Sequence, residues 1–90
     1  MKYFRNLDII LQDKNFSLAH ESRVVDSKTN QVINIVIYRR DELFVFITII
    51  ESPCSIYWDI ALMKGNKQFN FHNYRQFNAC DLDNIIQLIS

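Results

Sequence analysis

One glycine, one proline, two cysteines and two histidines in 90 residues leave this chain short of the residues from which loops, metal centres and nucleophilic sites are usually built. A glycine-rich phosphate cradle is excluded, because Gly65 stands alone. Cys54 and Cys80 have neither the close spacing nor the histidine partners of a zinc site. They read as free thiols, with a single disulfide between them as the alternative. Charge of one sign is missing as well: ten acidic side chains balance ten basic ones. General nucleic-acid binders and acidic nucleic-acid mimics both depend on a one-signed field, so neither is expected. No apolar run approaches the ~20 residues that cross a bilayer, and Arg5 and Asp8 interrupt the first segment where a secretory leader would need an apolar stretch. A soluble, cytoplasmic protein without a cofactor is the expectation.

What is there is apolar bulk: 49% hydrophobic and 13% aromatic residues, enough for one packed core without metal or disulfide staples. Residues 1–90 read as a single domain, and neither linker nor repeat divides them. The stretch from Val32 to Met63 is dominated by β-branched and aromatic residues and reads as three consecutive strands joined by tight turns. Before it, Phe4, Leu7, Ile10 and Leu11 fall at helical spacing within residues 3–13, Asn15 is a plausible stop, and residues 16–26 read as a first strand ending in a turn at 27–30. After it, Gly65 and Asn66 form the clearest turn and return a strand over 67–73. Leu82, Ile85, Ile86 and Ile89 then mark a final helix capped at Asp81 or an adjacent residue. The fold class is α+β: a four- or five-stranded antiparallel meander with a short helix at each end, both packed on one face.

Turn chemistry predicts the register. A loop of Asp41 and Glu42 sets Arg40 opposite Leu43, Ile37 opposite Phe46 and Ile35 opposite Thr48. A turn at Ser52, Pro53 and Cys54, closed with Glu51 opposite Ser55, sets Phe46 opposite Ile60 and Thr48 opposite Trp58. The strand period of two then sorts the side chains. One face carries Val24, Ile33, Ile35, Ile37, Phe44, Phe46 and Ile50 with Ile56, Trp58, Ile60, Leu62, Phe69 and Phe71, and is expected to be the main core. The other carries Val25, Asn34, Val36, Tyr38, Val45, Ile47 and Ile49 with Tyr57, Asp59, Ala61, Met63, Asn70 and His72. Two short helices suffice for one face of such a sheet, so the second, mixed face is expected to be uncovered.

Three functional readings follow. An uncovered apolar row with a polar rim is the usual sign of a protein interface, so Val36, Tyr38, Val45, Ile47, Ile49 and Met63, with the charged hairpin tip Arg39, Arg40, Asp41 and Glu42, form the candidate partner interface. A homodimer through this face is one version of it. In size and build the chain resembles small phage-encoded inhibitors of bacterial defence systems, anti-CRISPR proteins among them, and small toxin-immunity proteins; the resemblance is of general type and rests on no particular residues. It implies a non-enzymatic inhibitor that acts by surface occlusion. The alternative is a small-ligand-binding or minimal enzymatic homodimer built on a polar cluster of Tyr57, Asp59, His72 and Tyr74, since a carboxylate orienting an imidazole is half of a general-base arrangement. The plainer account of Asp59 and His72 is a cross-strand hydrogen bond worth at most ~1 kcal/mol. A third reading is a structural subunit of a larger assembly. The segment from Lys64 to Phe77 interleaves cations with aromatic rings as a nucleic-acid stacking platform does, but Phe69 and Phe71 fall on the core face.

Overall fold

The computed structural model describes residues 5–73 and 79–89. Helix α1 (Arg5–Asp13) is followed by strands β1 (Ser17–Asp26), β2 (Gln31–Arg40), β3 (Leu43–Glu51), β4 (Ile56–Lys64) and β5 (Lys67–Asn73), and then by helix α2 (Ala79–Ile89). The strands form one antiparallel sheet in chain order, β1-β2-β3-β4-β5. This is the α+β meander that the sequence predicts. Helix α2 begins earlier than expected, so Asp81 lies in its first turn and not at its cap.

Local chemistry accounts for the boundaries. Helix α1 stops in a Schellman arrangement: the Phe16 N–H donates to the Leu11 carbonyl at 2.9 Å and the Asn15 N–H to the Gln12 carbonyl at 3.1 Å. Asn15 takes the left-handed conformation this requires, at φ 69°. The Asp41 and Glu42 loop closes the β2–β3 hairpin with Asp41 at φ 54°, a region that aspartate tolerates better than most residues. Gly65 does the same for β4–β5 at φ 61°. In both hairpins the first loop residue has positive φ and the second does not.

The β2–β3 and β4–β5 registers are those predicted, with Ile37 opposite Phe46 and Leu62 opposite Phe69. The β3–β4 register is not. The Ser52 N–H donates to the Ser55 carbonyl at 2.9 Å, and the two serine hydroxyls meet at 2.7 Å, so the turn spans Ser52 to Ser55 and Glu51 faces Ile56. Phe46 therefore lies opposite Ala61, and Thr48 opposite Asp59. A slip of one residue moves every side chain to the other face. The predicted main face is thereby divided between the two real ones.

The core lies between the helices and the face that carries Val36, Tyr38, Leu43, Val45, Ile47, Ile49, Trp58, Ile60 and Leu62. Leu7 and Leu11 of α1, Phe16, and Ile85 and Ile89 of α2 close it from above. Two polar ties hold the helices there. The Tyr38 hydroxyl donates to the Asp8 carboxylate of α1. Arg40 donates from Nη1 to the Lys14 carbonyl and from Nη2 to the Ile89 carbonyl, each at 2.8 Å, and lies over the Phe16 ring at 4.7 Å. A guanidinium shared by the carbonyl ends of both helices also opposes their dipoles.

Candidate functional site

The opposite face of the sheet has no described element packed on it. Its side chains follow from the pairing: Ile33, Ile35, Ile37 and Arg39 of β2, then Phe44, Phe46, Thr48 and Ile50 of β3, then Tyr57, Asp59, Ala61 and Met63 of β4. On the flanks it continues into His20, Ser22 and Val24 of β1 and Gln68 and Asn70 of β5. The β2 and β3 side chains, Arg39 apart, are half-buried by one another, while Met63 is 37% exposed and Val24 is 55% exposed.

The centre of this face is aromatic and aliphatic. Phe44 and Phe46 stack along β3 with centroids 6.0 Å apart and planes at 22°, and the Arg39 guanidinium stands 5.3 Å from the Phe44 centroid. Such a cation over a ring remains open to solvent while its stem covers apolar surface. Towards β4 and β5 the face becomes polar. Thr48, Asp59 and His72 occupy one row across three strands, and Ile50 and Tyr57 the next.

Several predicted site residues are elsewhere. Val36, Tyr38, Val45, Ile47 and Ile49 are core residues, none more than 3% exposed, because the slipped β3–β4 register exchanged the covered and uncovered halves of β2 and β3. The helices already cover these side chains, so they form no exposed surface. Burial and the Asp8 carboxylate push the Tyr38 hydroxyl pKa well above its ordinary value, so it acts as a fixed donor. Arg40 is a structural tie and not part of a free hairpin tip. Arg39, Asp41 and Glu42 do remain exposed at that tip, where the Arg39 Nε donates to the Asp41 carbonyl at 3.1 Å. Met63 lies on the uncovered face.

Asp59 and His72 are register partners as predicted, with Tyr57 two residues along on the same side. Tyr74 lies outside the described residues. Among the described residues no group of three potential metal ligands comes together, and no helix is long and apolar enough to cross a membrane. Val24, Ile33, Ile35, Ile37, Phe44, Phe46 and Ile50, expected in the core, are on the uncovered face. The paired serines flanking Pro53 were the signal for the longer turn. No family model, curated protein or solved structure matches the chain.

Proposed function

We propose that this protein is a binding module that occludes a surface of another protein with the uncovered face of its sheet. What carries the reading is the continuous apolar field of Ile33, Ile35, Ile37, Phe44, Phe46 and Ile50, rimmed by polar residues of β1 and β5. Five strands at ~4.8 Å spacing and about nine residues long at ~3.3 Å rise present a footprint of about 700 Å². A standard interface takes ~800 Å² from each partner. An apolar centre with Arg39 at one margin and Asp59 at another has the composition of such interfaces, where aromatic residues and arginine are enriched. In this reading the chain is an inhibitor of the counter-defence or toxin-immunity type, acting in the cytoplasm by blocking access and performing no catalytic step.

The test is affinity capture from a native host lysate with wild-type protein and with a Phe46→Asp, Ile35→Asp variant. Both positions face outward, so the variant stays folded, with a melting temperature lowered by about 10 to 20 °C, while losing the partner. Undiminished capture by the variant would sink the proposal. A nucleotide or metabolite that specifically raised the melting temperature would instead favour the alternative built on Tyr57, Asp59 and His72.

A further inference from the structure

Strand β1 is the element the rest of the molecule leaves bare. No residue in it is buried. Leu18, Val24 and Val25, exposed by 54%, 55% and 57%, belong to it, and they project from both faces of the sheet. One edge of β1 bonds to β2 and the other has no described neighbour. A free edge offers a row of backbone donors and acceptors to any strand that can match it, and natural edges are usually blocked by proline, short length or awkward charge. Here the strand is ten residues long and contains no proline. Its bulge at Ala19 leaves His20 to Asp26 in regular register.

The charges on this edge select a partner. We propose that β1 pairs with β1 of a second copy of the chain, antiparallel and centred on Ser22, joining the two sheets into one. Backbone groups along a strand point alternately to its two edges, so directly opposed residues in an antiparallel pair must belong to the same alternating set. A two-fold axis between identical strands therefore passes beside a residue and not between two. Within the regular stretch the central choices are Glu21, Ser22 and Arg23. An axis at Glu21 opposes two glutamates, and an axis at Arg23 opposes two arginines. An axis at Ser22 opposes Glu21 of each copy to Arg23 of the other, twice, on the helix side of the sheet, and sets Val24 against His20 on the uncovered side. Opposed unlike charges stabilise a cross-strand pair and like charges destabilise it. The zero net charge adds no long-range repulsion between copies. The pairing forms about four to six backbone hydrogen bonds, brings the exposed valines to a seam, and places the two uncovered faces side by side. It does not depend on what those faces bind.

Sedimentation equilibrium from micromolar to millimolar concentration reads the association, and charge exchange reads the register. Glu21→Arg alone or Arg23→Glu alone opposes like charges at both symmetry-related pairs, and each is expected to weaken the dimer by about tenfold or more. The double exchange Glu21→Arg with Arg23→Glu restores it to within about twofold. Both side chains are exposed, so the melting temperature of dilute protein reports that the fold is intact in each variant. In a background with Cys54→Ser and Cys80→Ser, Ser22→Cys cross-links to itself under mild oxidation faster than His20→Cys or Val24→Cys, because only the axial residue meets its own copy. A monomer at every concentration overturns the proposal. So does a dimer indifferent to the single reversals, a double exchange that fails to rescue, or a dimer lost on Phe46→Asp, which would be packed face to face.

Discussion

Phe46 and Ile47 are consecutive residues of β3 with the same backbone ladder, and they point to opposite sides of the sheet. Ile47 is fully buried between the sheet and the helices, whereas Phe46 is half-buried among Ile37, Ala61 and the stacked Phe44 ring. Replacing Ile47 by alanine removes buried carbons from a closed core and leaves a cavity that the surrounding side chains fill only in part. Such changes cost ~2–5 kcal/mol, and the complete burial of Ile47 puts it at about 3 to 4. Phe46→Ala leaves no closed cavity, and only the shaded part of the ring loses contact. Its cost is about 1 kcal/mol, including the poorer strand propensity of alanine, which both variants share. At ~4–8 °C per kcal/mol for a domain of this size, Ile47→Ala lowers the melting temperature by about 15 to 25 °C and Phe46→Ala by about 4 to 8 °C. Urea denaturation of dilute protein, followed by the fluorescence of buried Trp58, measures both on one scale. Equal losses for the two variants, or a larger loss for Phe46→Ala, would falsify the assignment of covered and uncovered faces.

Two further substitutions probe how the helices are held. Burial and the Asp8 carboxylate raise the Tyr38 pKa above the ordinary tyrosine value of about 10, so above about pH 10 the unfolded chain releases this proton before the folded one. The folded state then holds more protons, and stability contributed by Tyr38 is complete below about pH 10 and lost as pH rises beyond it; urea midpoints of wild type and Tyr38→Phe should converge through that range, and parallel profiles would show that the hydroxyl does not couple to folding. Arg40→Met keeps the stem over Phe16 but strips the charged donors from the Lys14 and Ile89 carbonyls, for a loss of about 2 to 3 kcal/mol that Arg40→Lys recovers only in part; a loss under about 0.5 kcal/mol would mean the two helix ends are held by packing alone.

Element order and most of the pairing were legible because each rests on local chemistry. Gly65 with Asn66 leaves little choice of loop length, and Asn15 ends α1 through its own backbone conformation, whereas Asp41 and Glu42 do not by themselves favour the positive φ that Asp41 adopts. The closure of the Ser52 to Ser55 turn is less legible because Pro53 and Cys54 tolerate more than one closure, and the serine pair that marks the longer one is a weak signal beside the backbone bond that fixes it. The role of Arg40 was illegible for a different reason. Its acceptors lie 26 and 49 residues away, and both are backbone carbonyls, which leave no mark on side-chain patterns.

Which face the helices cover could not come from β2 or β3, since both are apolar on alternate sides throughout their central residues. Strand β4 makes the choice. Trp58, Ile60 and Leu62 are buried together on one side, while Asp59 stands among Tyr57, Ala61 and Met63 on the other. Helices laid over the second side would strip water from a carboxylate without offering it a cation, a cost of several kcal/mol. No charged side chain is buried among the described residues, and on the covered side the Tyr38 hydroxyl has Asp8 as its acceptor. Asp59 therefore marks the uncovered side under either register, and the slipped turn misled only by joining the wrong halves of β2 and β3 to it. Joined correctly, that side is mostly apolar over β2 and β3, mixed over β4, where Asp59 stands between Tyr57 and Ala61, and polar over β5. A surface divided in this way fixes the orientation of whatever docks on it: apolar contacts must meet Ile35 and Phe46, and a hydrogen-bond donor or cation must meet Asp59. An Asp59→Asn change should then weaken partner capture less than Phe46→Asp does, while Asp59→Lys, which reverses the charge at the polar margin, should abolish it at an unchanged melting temperature.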